Sequence, residues 1–169
     1  GLHAGGAVQV ATSFIDEVSK LDINDLSVTV LVSTEIHNNL LELGTDTSIF
    51  DSYQVVDVFG VMAFFARLDR YFKGADVVFT VFGPAYYPIR ARVRIAGFAQ
   101  PWIIYPENDV LPLLTFSNRI KHKLKFAFQA FCFRWVDRYI VELPHVKERL
   151  LEIGLALDSQ VDIVHNTLP

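Results

Sequence analysis

The sequence DVVFTVF at residues 76–82 decides the fold class of this chain. It is β-branched and aromatic, and nearly every residue is apolar, which predicts a strand covered on both of its faces. Strands of this kind are typical of parallel sheets flanked by helices. The character of the sequence changes directly afterwards, because residues 83–92 contain Gly83, Pro84 and Pro88 and therefore predict a loop.

Further strands and helices are predicted on either side of this segment. The strands are short runs at residues 28–33, 53–58, 93–98, 138–143 and 161–165. The helical patterns are at residues 5–21, 36–43, 61–73, 115–136 and 145–153. QPWIIYPEND at residues 100–109 predicts a loop. Because strands and helices alternate, we expect an α/β fold with a Rossmann-like parallel sheet and helices on both of its faces.

The two ends of the sequence lead to a further expectation. The chain opens at GLHAGG, residues 1–6, which is typical of a loop that follows a strand. In a doubly wound sheet the first strand lies near the middle, so we expect that strand to be missing from the chain. Pro169 follows the last predicted strand directly, and the chain is interpreted as a piece of a larger protein. A homodimer is one expected consequence, because a missing strand leaves unpaired backbone groups that a second copy could satisfy.

Composition and charge exclude several classes of protein. With 15 basic and 19 acidic residues the net charge is −4, which argues against nucleic acid as a partner, because phosphate neutralisation needs an excess of Lys and Arg. Cys132 is the single cysteine, so a disulfide framework and a multi-cysteine metal site are excluded. The sequence contains no apolar run of the roughly 18 residues that span a membrane and opens with no secretory signal. A cytoplasmic protein is therefore the expectation.

The common catalytic and nucleotide-binding motifs are missing from the sequence. It contains no GxGxxG, GxxxxGKS/T, GxSxG or HExxH. The five histidines are scattered without metal-ligand spacing. We therefore expect neither a metal ion nor a cofactor.

Candidate ligand-binding residues lie in the loops after the strands, because ligands of open α/β sheets bind at the carboxyl ends of strands. Gly83 follows the strand quoted above, while Gln100, Trp102 and Tyr105 follow the next strand. An amide beside an indole and a phenol suits a sugar, since a sugar ring presents both C–H and O–H groups. The alternative is that the two aromatic rings simply pack under the loop.

A pair of glycines opens the first predicted helix. Gly5 and Gly6 lie where backbone N–H groups point outward and where a phosphate can approach closely. The alternative interpretation is a flexible loop ahead of a helix.

The longest predicted helix, residues 115–136, has apolar residues on two sides. At about 100° per residue, the core face is predicted to consist of Ile120, Leu124, Ala127, Phe128, Phe131 and Trp135. The other side is predicted to be exposed to solvent. It carries Arg119, Lys123 and further basic residues, and also Phe126 and Phe133. Basic residues interleaved with aromatic ones suit an anionic membrane surface. The alternative is that another segment of the intact protein packs there.

Several segments carry a family resemblance when they are taken in order. They are GGAVQVA at 5–11, ADVVFTVFGP at 75–84, GFAQPW at 97–102, HVKERLLEIG at 145–154 and VDIVHNTLP at 161–169. Together they resemble the N-terminal domain of a family 4 (group 1) glycosyltransferase of the GT-B fold. The last segment is similar to the passage from the first to the second domain of such enzymes. The resemblance covers almost the whole chain, although no single segment decides it.

The resemblance implies a function. Residues 1–169 would form the acceptor-side domain of a retaining, metal-independent enzyme of the hexosyltransferase type, whose donor-binding C-terminal domain is absent. The implied partners are a nucleotide-sugar, held mainly by the missing domain, and a glycan or lipid-linked acceptor, as in polysaccharide biosynthesis. By similarity, Gly5 and Gly6 would approach the donor diphosphate. The isolated domain is expected to be inactive, and the enzyme is expected in the cytoplasm, with peripheral contact to the inner face of the membrane.

The sequence also departs from the family pattern. Many relatives have a histidine where Gln100 stands, and a glutamine cannot act as a general base although it can bind a hydroxyl group. The usual Thr before the final helix is replaced by Leu143-Pro144. The paired glutamates that contact the donor in the second domain are not found, since Glu35 and Glu42 lie on an early helix without the matching spacing. The alternative of a different class is a non-catalytic α/β binding module of flavodoxin-like topology.

Overall fold

The computed structural model describes residues 5–58, 68–87, 89–108 and 110–165, with Asp69 described by its backbone alone. The chain divides into two units, Gly1–Tyr71 and Phe72–Pro169. Every strand pair in both units is parallel. The predicted α/β class with a Rossmann-like, parallel arrangement is therefore confirmed. The strands are distributed over two sheets, a division that the sequence does not indicate.

The first unit contains a two-stranded parallel sheet. Its elements are α1 (Gly6–Ser19), β1 (Thr29–Val32), α2 (Thr34–Leu43) and β2 (Ser52–Val55), and α3 (Asp69–Phe72) crosses the boundary to the second unit. Ser33 begins α2 by accepting a hydrogen bond from the backbone N–H of Ile36. The helices α1 and α2 contact each other and bury Val8, Ala11 and Leu40.

The second unit contains a four-stranded parallel sheet in the order β3-β4-β5-β6. Its elements are β3 (Val77–Thr80), β4 (Val93–Gly97), α4 (Pro101–Ile104), α5 (Phe116–Phe133), β5 (Arg138–Val141), α6 (Pro144–Glu152) and β6 (Val161–Ile163), with 3₁₀ turns at Leu111–Leu113 and Asp158–Gln160. Because all four strands are parallel, their carboxyl ends lie along one edge of the sheet.

The strands predicted from the sequence are all present, most of them shorter than predicted. The helix predicted at residues 61–73 falls mostly on residues 59–67, which lie outside the described residues, and its end is helical as α3. The loop predicted at residues 100–109 is wrong in its first part, because α4 occupies it. Pro101 stands at the first helical position, where its missing N–H removes no helical hydrogen bond.

The core of the second unit is built around aromatic side chains from α5 and β5. Phe133 is 0% exposed and Tyr139 is 1% exposed. The rings of Phe98 and Phe133 are 4.9 Å apart between centroids. The hydroxyl of Tyr139 donates a hydrogen bond of 2.7 Å to the carbonyl oxygen of Phe133, so the buried polar group is satisfied. Burial raises the pKa of Tyr139 to about 12.

The faces of α5 are the reverse of those predicted. Phe133 is buried and Phe126 packs against the core, although both were assigned to the wet side with Arg119 and Lys123. Leu124, assigned to the core, is 67% exposed. The physical reason is that this helix is apolar on both sides, so its periodicity cannot indicate which side meets the sheet. Phe126 and Phe133 are therefore corrected from candidate membrane or domain contacts to core residues.

An ion pair joins the amino-terminal ends of β4 and β5. Arg94 donates through Nε to Asp137 Oδ2 and through Nη2 to Asp137 Oδ1, both at 2.8 Å. The backbone N–H of Arg94 donates to the same carboxylate at 2.8 Å. The guanidinium of Arg94 holds the pKa of Asp137 below its usual range, and the carboxylate raises the pKa of Arg94. Both side chains are about one-third exposed, so water weakens this ion pair relative to a buried one.

We expect Asp137→Asn to lower the free energy of unfolding by about 1–2 kcal/mol at neutral pH, because a bidentate, charge-assisted pair is lost. The folded-state pKa of Asp137 lies below the unfolded one. The pair therefore stabilises the fold above the unfolded pKa, and its contribution disappears as the pH falls through the folded pKa. In urea unfolding, the difference between wild type and variant should shrink below about pH 4. Asp76→Asn is the control, since that exposed carboxylate meets Arg92 only at 3.6 Å. A difference for Asp137→Asn that stays constant down to pH 3 would contradict the assignment.

Candidate functional site

The carboxyl edge of the four-stranded sheet carries the loops that hold most of the predicted site residues. Gly83 follows β3 and Gln100 follows β4, as the sequence analysis expected. Glu142 follows β5 and is half-buried, and His165 follows β6 and is exposed. Sequence reasoning did not select these two residues. The same rule for strand ends that selected Gln100 would have found them.

Backbone hydrogen bonds join the loop after β3 to the end of β4. The N–H of Gly83 donates to the carbonyl oxygen of Gly97 at 3.1 Å. Thr80 Oγ1 donates to the carbonyl oxygen of Gly83 at 3.1 Å. Gly83 has a φ of +83°, a left-handed conformation that glycine adopts without steric cost. The left-handed backbone conformation alone therefore explains a glycine at position 83, whether or not a ligand lies beside it.

The end of β4 passes very close to the strand beside it. A Cβ atom built on Gly97 would lie 1.8 Å from the carbonyl oxygen of Val81, far inside van der Waals contact. Only glycine fits at this position, because the neighbouring atom is backbone and cannot rotate away. The close approach brings the loops after β3 and β4 side by side.

Gln100 stands between β4 and α4. Its carbonyl oxygen accepts a hydrogen bond of 3.0 Å from the N–H of Ile103, which fixes its backbone. Its side chain is half-buried and makes no helix-capping hydrogen bond. The amide has both donors and acceptors. It can therefore bind a hydroxyl group at the edge of the sheet, but it cannot take up a proton as a base.

Trp102 packs against α5. Its ring is stacked on Phe126 with centroids 5.6 Å apart and planes 8° apart, and it is tilted against His122 at 5.4 Å. Trp102 is half-buried. The stack supports the packing interpretation for one face of the indole.

Tyr105 contacts a different helix from Trp102. The guanidinium carbon of Arg149, on α6, lies 5.3 Å from the centre of the Tyr105 ring, which suits a cation–π contact. Arg149 Nη2 also donates to the carbonyl oxygen of Ile104 at 3.0 Å. Within the described residues, Trp102 and Tyr105 thus point to different helices and do not form one aromatic platform.

Gly5 and Gly6 belong to the first unit. Gly5 precedes α1 with a φ of +81°, and its carbonyl oxygen accepts a hydrogen bond of 3.1 Å from the N–H of Val8. Both glycines are exposed, and a Cβ atom at either position would meet no atom within 4 Å in the described structure. The start of α1 is therefore open on the side where the sequence analysis expected a phosphate.

Arg119 and Lys123 line an open pocket of about 300 Å³ together with Asn108 and Pro112. Arg119 Nη2 donates to the carbonyl oxygen of Pro112 at 3.0 Å. Its Nε is buried and has no hydrogen-bond partner among the described residues. Glu107 lines the same pocket, so this recess beside α5 carries two basic side chains and one acidic side chain.

Metal and thiol chemistry have little support in the described part of the chain. No group of His, Cys, Asp and Glu side chains there could hold a metal ion. Cys132 is buried, and burial raises the pKa of its thiol, which disfavours the reactive thiolate.

No helix within the described ranges is long and apolar enough to cross a bilayer.

Comparisons with protein-family models, with curated proteins and with solved structures find no match to this chain.

Proposed function

We propose that this chain is the acceptor-binding half of a retaining, metal-independent glycosyltransferase of the GT-B fold. The observation that carries the proposal is the edge of the parallel sheet at β3 and β4, where the loops with Gly83 and Gln100 lie side by side. These loops belong to two of the ordered segments that resemble the family. Ligand binding at this edge is the general rule for open α/β sheets.

The acceptor is a glycan or a lipid-linked sugar, and the sheet edge offers groups that suit a sugar ring. The Gln100 amide can donate to one hydroxyl and accept from another. The Glu142 carboxylate, half-buried at the end of β5, is a hydrogen-bond acceptor in its ionised form. Trp102 supplies an apolar indole behind Gln100. In the proposed reaction the acceptor oxygen forms a bond to the anomeric carbon while the bond from that carbon to the nucleoside diphosphate breaks, and the departing phosphate takes the proton of the acceptor hydroxyl.

The donor is a nucleotide-sugar that is bound mainly by a second domain outside these 169 residues. The exposed start of α1, with Gly5 and Gly6, is the proposed point of approach to the donor diphosphate. Backbone N–H groups at a helix start attract phosphate. The reaction as proposed places no metal ion on this chain and takes place in the cytoplasm, with peripheral contact to the membrane.

The test uses the natural gene product that contains this chain. It is incubated with a panel of nucleotide-sugars and of glycan and lipid-linked acceptors, and the products are identified by mass spectrometry. Transfer with retained anomeric configuration in the presence of EDTA supports the proposal. Absence of both transfer and donor hydrolysis across the panel overturns it and favours the non-catalytic, flavodoxin-like binding module.

In that protein we expect Trp102→Ala to lower kcat/KM for the acceptor about tenfold, the effect of about 1.4 kcal/mol of lost transition-state binding. Hydrolysis of the donor should stay unchanged, because Trp102 belongs to the segment proposed for the acceptor and not to the glycines proposed for the donor. Trp135→Ala is the matched control, since that residue lies in the connection between α5 and β5 and not in the segment after β4. Thermal unfolding of both variants separates lost packing on Phe126 from lost binding. Equal losses in transfer and in donor hydrolysis would count against an acceptor role.

A further inference from the structure

An apolar stripe runs along the exposed side of α5. Its members are spaced three or four residues apart and lie within an arc of about 120°; they are Phe116, Ile120, Leu124, Phe128 and Phe131, all exposed. Phe116 is 76% exposed, and Leu113, just before the helix, is 82% exposed. A row of exposed large apolar side chains on one side of a helix usually marks an interaction site.

Basic residues border the stripe on both sides. At about 100° per residue, Arg119 and Lys123 lie along one margin, and Lys121 and Lys125 lie along the other. Residues 110–136 contain five Lys and Arg residues and no Asp or Glu, although the whole chain has a net charge of −4. Within the described ranges, none of the three lysines forms a salt bridge, and Lys125 Nζ lies 5.3 Å from the centre of the Phe126 ring. This helix therefore carries a net positive charge, although the chain as a whole is negative.

This arrangement fits the surface of an anionic bilayer better than a second copy of the chain. An interfacial helix buries its apolar face at the acyl boundary while basic residues at its margins reach the lipid phosphates. Two copies that met through this stripe would place basic margins opposite basic margins, and like charges at an interface repel. With four basic residues on its length, α5 is suited to lie in the interface and not to cross it.

The pocket beside Arg119 and Lys123 strengthens the argument for a lipid phosphate. It opens along one margin of the stripe, and its charged lining residues are two cations, Arg119 and Lys123, and one carboxylate, Glu107. The buried Nε of Arg119 has no partner in the described structure. Arg is well suited to bind a phosphate through parallel N–H donors. A headgroup phosphate of the bilayer would bind to the two cations that line this pocket.

We propose that α5 is an interfacial helix that docks this protein onto anionic lipid. Phe116, Leu124 and Phe131 enter the acyl boundary, and the basic margins bind headgroup phosphates. The docking surface is the side of α5 opposite to Phe126 and Phe133, which the core occupies. This inference does not rest on sugar transfer, because vesicle binding is measured without any sugar.

The test is co-sedimentation of the full chain with vesicles of phosphatidylglycerol and phosphatidylcholine, compared with vesicles of phosphatidylcholine alone. We expect binding to the anionic vesicles that weakens as salt is raised. The double variant Phe116→Ser, Leu124→Ser should bind about a hundredfold more weakly, since each side chain loses its apolar burial. The control is Leu41→Ser with Leu43→Ser, because both leucines are similarly exposed on α2 and should have no effect.

Charge is tested separately. The triple variant Lys121→Gln, Lys123→Gln, Lys125→Gln should lower the affinity for anionic vesicles about a hundredfold, because each basic residue near the surface contributes several-fold. The control removes the same charge elsewhere in the second unit, through Lys73→Gln, Arg90→Gln and Arg92→Gln. Unfolding temperatures of all variants show whether they are folded.

Three results would overturn the docking proposal. One is the absence of binding to anionic vesicles by the wild-type chain, and another is equal binding to neutral vesicles. The third is a wild-type dimer that Leu124→Ser converts to a monomer without any vesicle binding, which would make the stripe an interface between copies. Sugar transfer by a protein that does not bind vesicles would refute this inference and leave the proposed sugar transfer standing. Vesicle binding without any sugar transfer would support this inference and count against the proposed transfer.

Discussion

Phe133→Ala is expected to lower the free energy of unfolding by about 3–5 kcal/mol, the usual cost of removing a large buried aromatic side chain. Phe133 is 0% exposed and lies against Phe98 at 4.9 Å and against Tyr139 at 6.1 Å between ring centroids. Its backbone carbonyl also holds the buried hydroxyl of Tyr139. The cavity left by the substitution would be closed on all sides, so the surrounding residues could relax only partly.

Phe131→Ala is the matched control for this prediction. Phe131 lies on the same helix two residues away, but it is exposed and its ring contact is with Trp135, at 5.4 Å. We expect that variant to lose less than about 1 kcal/mol. Urea denaturation of both variants gives the comparison. Losses of equal size, or a larger loss for Phe131→Ala, would restore the assignment of faces that the sequence predicts.

Gly97→Ala is expected to cost about 3 kcal/mol or more, at the upper end of what overpacking costs in a core. The added methyl group would meet the backbone of Val81, with the carbonyl oxygen at 1.8 Å and the carbonyl carbon at 3.0 Å. Relief would require β3 and β4 to separate at the edge where the loops with Gly83 and Gln100 meet. The variant should therefore lose acceptor binding along with stability.

Gly83→Ala separates this clash from simple backbone strain. Gly83, unlike Gly97, has a positive φ, and a Cβ atom there would meet nothing within 4 Å. We expect a loss of only about 1–2 kcal/mol, the cost of the left-handed conformation for a residue with a side chain. Chemical unfolding of the two variants side by side gives the measurement. Equal stability losses would show that the approach of Val81 to Gly97 is not the constraint.

The strands could be predicted because β-branched and apolar runs favour strands through the residues of the run itself. The segment around Val78 and Phe79 is apolar on both faces, and it forms a strand of a parallel sheet. The position of Gly83 and Gln100 at strand ends followed from the same reasoning. The sequence does not predict α4, because Pro101 and Pro106 both indicate a break in secondary structure. Pro101 is nevertheless compatible with the helix, since it stands at the first helical position, where proline is tolerated.

The orientation of α5 could not be predicted from its own sequence. Both of its sides contain apolar residues, and the choice between them depends on residues far away in the sequence. Trp102 meets Phe126 and Phe98 meets Phe133, so the buried side is set by partners from α4 and the end of β4. A helical wheel contains no information on such partners. The same limit applies to Trp102 and Tyr105, whose neighbours on α5 and α6 are remote in the sequence.

The stack of Trp102 on Phe126 places the indole on the far side of α5 from the apolar stripe. A helix with its side chains is about 10 Å across, so only one helix thickness would separate an acceptor at Trp102 from the acyl chains beneath the stripe. An acceptor tethered to a lipid tail would then reach the indole by lateral diffusion, with its tail still in the bilayer. Under the proposed function, its search for this protein would proceed in two dimensions, which would favour membrane-borne acceptors over free sugars at equal concentration.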